Sequence, residues 1–219
     1  MPAELPVEQF DARIPLRNEP VQARSTARLA TLLDAAASII DEVGFERLTT
    51  AMVSERAGAS IGTVYRYFPD RIALLQALGA RNLERVLTRA DDAVLDPANG
   101  DWVAALNAAL DVLVDAFRTE PGFRSVRVGD VIDLRPAPNA RGYNTIVSDR
   151  ILDGLLSRFG FADSAELRFA FETTIEISDA LCARAFARNA QGENAFLDVS
   201  RDIALSMLVP YLGDPAPVA

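Results

Sequence analysis

The sequence predicts an all-α fold, on three observations. Apolar residues recur at spacings of three and four through most of the 219 residues. Alternating runs of β-branched residues, the mark of half-buried strands, are missing. Glycine, proline and short polar side chains fall between the periodic segments, where helices need caps and stops.

Residues 1–23 hold Pro2, Pro6, Pro15 and Pro20 among charged residues and show no sustained period, so a mobile N-terminal arm is expected. From Arg24 the pattern changes: Leu29, Leu32, Leu33, Ala36, Ile39, Ile40 and Val43 form one apolar helix face, and Gly44 supplies a stop. Two short helices follow at about 50–57 and 61–67, divided by Gly58-Ala59-Ser60. Asp70 caps a longer helix through Leu74, Leu75, Leu78, Leu83, Val86 and Leu87 to about Val94. After the break Leu95–Gly100, Asp101 opens a helix through Trp102, Leu106, Leu110, Leu113 and Phe117 that ends near Pro121-Gly122. A short apolar piece from Val126 to Leu134 precedes the loop Arg135-Pro136-Ala137-Pro138. Helical spacing returns from Tyr143 to Phe159, with Gly160 beyond its end; Ser164 caps a helix reaching about Arg188, and a last one runs from about Asn194 to Tyr211. The expected domains are an arm at 1–23, a head at 24–71, a connecting helix at 72–94 and a larger helical domain at 95–219.

Composition narrows the function. There is no histidine, all 22 basic residues are arginine, and Cys182 is the single cysteine. Without imidazole, Ser-His-Asp and Cys-His catalysis is impossible. Without lysine there is neither a Gly-Lys-Ser/Thr phosphate loop nor a Schiff base. One sulfur closes no structural zinc site and no intrachain disulfide, so neither metal nor cofactor is expected. An acid-pair hydrolase is the main enzyme class left, and no spaced carboxylate pair singles itself out. The expectation is a protein that is not an enzyme. MPAELPVEQF lacks a basic, then apolar, signal pattern, and no apolar run approaches membrane-spanning length, so a cytoplasmic address is expected.

The informative stretch is Leu48 to Phe68. Thr49 suits an N-cap, with Val53 and Ala57 pointing inward at i, i+4. Gly58 supplies a left-handed turn into a second helix that Ser60 caps and that Val64 and Phe68 anchor. Ile61, Gly62, Thr63, Tyr65, Arg66 and Tyr67 are then left on the exposed side or at the helix start. This is a helix-turn-helix layout, in which the N-terminal end of the second helix enters the major groove of DNA. Gly62 permits close approach, and the hydroxyls of Ser60, Thr63, Tyr65 and Tyr67 can donate to phosphates or bases.

These residues resemble the TetR family of bacterial transcriptional repressors. The likeness is carried by Gly44-Phe45, Leu48-Thr49-Thr50, Ala57-Gly58, Gly62-Thr63-Val64-Tyr65 and Tyr67-Phe68-Pro69-Asp70-Arg71 leading into Ala73-Leu74-Leu75, over about residues 25–80. It implies phosphate contacts at Thr49 or Thr50, groove and phosphate contacts at Thr63 and Tyr65, and phosphate contacts at Tyr67 and at Arg71, where the family usually has lysine. Two positions depart from the family pattern. Ser54 replaces a common alanine, its hydroxyl expected to bond the preceding turn; Ile61 replaces a frequent polar base reader, which suits a thymine methyl.

Charge supports this division. The chain carries −9 overall, yet residues 24–71 hold six arginines and six acids, against 14 arginines and 21 acids at 72–219. Arg24, Arg28, Arg56, Arg66 and Arg71 form an expected basic rim, and DNA affinity is expected to fall steeply with salt.

For the remainder, the resemblance implies a helical domain that dimerises and binds a small inducer, unidentified and largely apolar. The expected dimer stripes are Phe171, Ile175, Ser178 and Cys182, then Ile203, Met207 and Tyr211; the same stripes also suit intrachain core. Trp102, Phe117, Phe123, Tyr143, Phe169, Glu172 and Ile177 are the candidate pocket residues, with Glu176 and Asp179 as further polar groups. The partners expected are double-stranded operator DNA, the inducer and a second copy, with no membrane. A helical ligand carrier without DNA binding is the alternative reading.

Overall fold

The computed structural model describes residues 23–128 and 141–214, with all regular structure helical among them. The expected N-terminal arm, the loop 135–138 and most of the apolar piece 126–134 lie outside the described residues. The helices are α1 (Ala23–Val43), α2 (Thr50–Arg56), α3 (Ile61–Tyr67), α4 (Arg71–Leu95), α5 (Trp102–Thr119), α6 (Phe123–Val128), α7 (Tyr143–Phe159), α8 (Ala165–Phe186) and α9 (Asn194–Leu212), with a 3-10 turn at Phe45–Arg47.

The caps expected from the sequence are in place. The side chains of Thr49, Ser60 and Ser164 accept from the backbone N–H of Met52, Thr63 and Leu167. The carboxylates of Asp70 and Asp101 accept from Ala73 and Ala104, both at 2.8 Å. Each satisfies an N–H that the first helical turn otherwise leaves open.

The described residues group into two compact units. The first comprises 23–82 with the segment 120–128. Its core joins Leu32, Ala36, Ile39 and Ile40 of α1 to Val53, Val64, Phe68, Leu74, Leu75 and Leu78, which explains why two seven-residue helices hold their places: each buries one or two apolar side chains in a core built mainly by α1 and α4. Isolated helices of that length would be unstable in water. The segment before α6 docks on α1 through the backbone N–H of Gly122, which donates to Asp41 Oδ1 at 2.9 Å. Phe123 and Val126 are buried beyond it.

The second unit comprises 83–119 and 142–214, so α4 contributes residues to both. Its largest helix pairing is α8 with α9. Phe171, Ile175, Ser178 and Cys182 are buried there within the single chain. The stripe expected to face a second copy is therefore interior, because it opposes Leu197, Ser200, Ala204 and Leu208 of the inward stripe of α9. The large apolar side chains that α8 and α9 leave exposed are Phe169, Val199 and Tyr211. Arginine ties α7 to its neighbours: Arg150 grips Asp91 with two nitrogens, and Arg168 reaches Asp149, Asp153 and Asp163.

Candidate nucleic-acid interface

The helix-turn-helix is closed by local bonds. Gly58 adopts φ +56°, a left-handed conformation that disfavours a side chain. Ser54 Oγ donates to the Ala59 carbonyl at 2.7 Å. Its hydroxyl was expected on the preceding turn; instead it crosses the Gly58 bend and pins the turn between α2 and α3, since the reversal brings that carbonyl, rather than the one a turn earlier, to the hydroxyl.

Helix α3 presents its start to solvent. Ile61 is 44 % exposed and Tyr65 43 %, while Val64 between them is fully buried. Gly62 is exposed, and a Cβ built there would meet nothing closer than Ser60 Oγ at 3.9 Å, so the site is open. Ser60 Oγ accepts from the Thr63 N–H at 3.1 Å and lies 2.9 Å from Thr63 Oγ1. Thr50 Oγ1 donates to the Tyr65 hydroxyl oxygen at 3.3 Å, which fixes the phenol across the two helices and leaves its own proton to donate outward. Thr49 is exposed at the start of α2.

One expected contact is placed differently. Tyr67, expected on the exposed side, is only 7 % exposed. Its hydroxyl lies 3.0 Å from Ser25 Oγ and donates to the Ser25 carbonyl at 3.4 Å, so the ring joins the end of α3 to the start of α1. Arg71 donates to the carbonyls of Glu46 at 2.7 Å and Phe45 at 3.4 Å, holding the 3-10 turn.

Of the expected basic rim, Arg56 is committed to a two-pronged ion pair with Glu42, at 2.7 and 2.8 Å, and to Ser38. The guanidinium holds the Glu42 carboxyl below its ordinary range, mainly through these hydrogen bonds, and the pairing raises Arg56 in turn. Arg28 and Arg66 are exposed, with no hydrogen bond or ion pair among the described residues, and Arg47 of the 3-10 turn shares that state. Arg47 was missing from the expected rim; its place directly before the Leu48-Thr49-Thr50 segment was the available signal. The side chain of Arg24 lies outside the described ones.

The candidate pocket residues do not assemble as one set. Trp102, Phe117 and Tyr143 are buried in the second unit, whereas Phe123 is buried in the first. Phe169 is 73 % exposed, because the inward positions of α8 are Leu167, Ala170 and Phe171. Glu172 accepts from Thr145 Oγ1 at 2.6 Å, and Glu176 and Asp179 accept from Asn144 Nδ2 at 2.8 and 3.4 Å. These carboxylates thus bridge α8 to α7. Ile177 is half-buried. A cleft of about 140 Å³ between α5 and α9 is lined by Trp102, Val103, Leu106, Asn107, Arg201 and Leu205, with Ala204 and Asp202. Among the described residues no group of histidine, cysteine or carboxylate side chains suits a metal ion, and no helix is long and apolar enough to cross a membrane.

A short capped helix facing solvent, braced by a second short helix on a shared core, defines the helix-turn-helix class of DNA-binding protein. Comparison with known proteins refines the class. The family model of bacterial regulatory proteins of the tetR family matches residues 32–78, and that of the tetracyclin repressor-like C-terminal domain matches residues 100–212. The HTH-type transcriptional repressor KstR of Mycolicibacterium smegmatis is 35 % identical over 94 residues, 43 % of this chain and 45 % of that protein. The matched stretch is thus less than half the length of that curated relative. The crystal structure of a TetR-family transcriptional regulator from Streptomyces coelicolor superimposes with a TM-score of 0.69 at 30 % identity, covering 84 % of this chain and 99 % of that one. The fold is shared also with the fatty acid degradation regulator FadR of Bacillus halodurans, with a TM-score of 0.61 at 15 % identity over 83 % of this chain and 94 % of that one. The chain belongs to the TetR family, whose members are transcriptional regulators and not enzymes.

Proposed function

We propose that this protein is a homodimeric repressor that binds a palindromic operator and is released from it by a small, largely apolar molecule. The observation that carries the reading is the start of α3: Ile61, Gly62, Thr63 and Tyr65 stand open around a Ser60 cap, on a helix whose other side is locked by Val64, Tyr67 and Phe68. In this reading Ile61 packs on a thymine methyl, Thr63 and Tyr65 reach bases and phosphates, and Thr49, Thr50, Ser60 and the α3 amides hold phosphates. Arg28, Arg47 and Arg66 neutralise the backbone, while Tyr67 and Arg71 position the reading surface from within the head.

The work divides by region: residues 24–71 read DNA, 72–94 connect, and 95–219 bind the inducer and the second copy. Phe169, Val199 and Tyr211, with the half-buried Ile203 and Met207, form the dimer face on α8 and α9. Two such heads would enter successive major grooves, about 34 Å apart. Release follows if the inducer favours a conformation in which that spacing fails, with α4 carrying the change because its residues belong to both units. The address is the cytoplasm.

Gel shift on palindromes from the promoter region of its own gene tests the reading. The wild type is expected to retard one of them, and the double substitution Tyr65→Ala with Arg66→Ala to weaken binding by about tenfold or more, at roughly 1 kcal/mol or more for each lost contact. Undiminished binding by that variant would place the reading surface elsewhere.

A further inference from the structure

We propose that the cleft between α5 and α9 binds a small ammonium compound, a protonated primary amine on an apolar body about the size of one aromatic ring. Its lining lies wholly within the second unit, so the site goes beyond the regulator reading and stands whether or not the head binds DNA.

Two ties hold the helices that build it. Trp102 Nε1 donates to the Gly213 carbonyl at 3.1 Å, which joins the start of α5 to the end of α9. Arg201 of α9 pairs with Asp111, further along α5. Between them the residues from 102 to 107 and from 201 to 205 leave a cleft of about 140 Å³. That is close to the cavity of about 150 Å³ that houses a benzene ring. The floor is apolar: Trp102, Leu106 and Ala204 line it, each 3 % exposed or less. The indole N–H is spent on Gly213, so Trp102 offers the cleft carbon surface alone. A ring seated there removes apolar surface from water on both sides.

The polar groups select the charge of the ligand. Arg201 is the cation of the lining, and its guanidinium is already held by Asp111 and, at 3.5 Å, by Asp198. Asp202 beside it is exposed, and its carboxylate has no hydrogen bond or ion pair among the described residues. Three carboxylates against one guanidinium leave two negative charges around Arg201, which repel an anion and attract an ammonium. Asn107 is half-buried in the lining, also without a hydrogen bond among the described residues, and its side-chain carbonyl can accept an N–H from the ligand. An apolar floor under a mouth of acceptors matches an aryl or alkyl amine.

Trp102 is the single tryptophan of the chain, so tryptophan emission reports from this cleft. Titration of the full-length protein at neutral pH with benzylamine, benzyl alcohol and benzoate, which share one ring and differ in charge, tests the site. Benzylamine is expected to change the emission saturably and to bind about threefold more tightly than benzyl alcohol, the gain of an exposed charge pair, while benzoate gives no saturable change. Added salt is expected to erase that gain. Asp202→Asn is expected to remove it as well and to leave benzyl alcohol unchanged. Leu205→Phe, which fills the cleft from its half-buried rim, is expected to abolish the saturable change for both probes, with helix content unchanged in both variants. A linear change matching that of free N-acetyltryptophanamide, equal affinity for benzylamine and benzoate, or full benzylamine affinity in Asp202→Asn or in Leu205→Phe would each overturn the proposal. Operator binding, measured alongside, is expected to be the same in both variants as in the wild type. A wild type that binds benzylamine but retards no palindrome keeps the cleft and removes the repressor.

Discussion

Cys182 shows how position decides the chemistry of a side chain. It is 6 % exposed on the inward stripe of α8, and burial first, then the Asp179 carboxylate, push its thiol up to about 12, against a smaller opposing pull from Arg201 and Arg118. The thiolate is the reactive form, and almost none exists at pH 8. Native protein is therefore expected to react with a disulfide reagent far more slowly than urea-unfolded protein; prompt stoichiometric reaction in the native state would contradict this burial. What a residue shows in sequence also depends on how far away its partners lie. Thr49, Ser60, Asp70, Asp101 and Ser164 were legible as caps because each acts on an N–H three residues on. Tyr67 was not legible as interior, because its partner Ser25 is 42 residues away. The pairing of Arg56 with Glu42 was hidden for the same reason, and it removed one cation from the expected rim.

Among the elements, α6 depends on a single backbone position just before it. Gly122 adopts φ +73°, and a Cβ there would lie 3.3 Å from the Ala37 Cα and 3.4 Å from a Leu78 methyl. Its N–H meanwhile serves Asp41. Left-handed strain and backbone crowding act together, so Gly122→Ala is expected to destabilise the protein by about 1–3 kcal/mol, read as a lower urea midpoint. A neutral result would show that the 120–128 segment is not held against α1 and Leu78 as described. The helices themselves were legible from apolar spacing. Which stripe of α8 faces inward was not, because Phe171 and Phe169 both fit a helical period, and only the pairing with α9 sets one inside and the other out.

For the whole molecule, an acidic chain has to bind a polyanion, and uneven distribution resolves the conflict. The net charge of −9 coexists with the proposed reading surface and with exposed guanidinium groups at Arg28, Arg47 and Arg66 in the same helix-turn-helix unit. Dimerisation belongs to the same scale. Phe169→Glu puts a charge on the proposed face and is expected to convert a dimer to a monomer in sedimentation, with unchanged helix content; a wild type that already sediments as a monomer would remove the two-headed reading.

The central claim is DNA binding through α3 and its arginine flank, and the salt dependence of operator affinity tests it most directly. Three open arginines on each of two heads, at about 0.9 released counterions per phosphate neutralised, predict that the logarithm of affinity falls with the logarithm of salt at a slope of about −5. A slope near zero, on any palindrome the protein retards, would contradict the account.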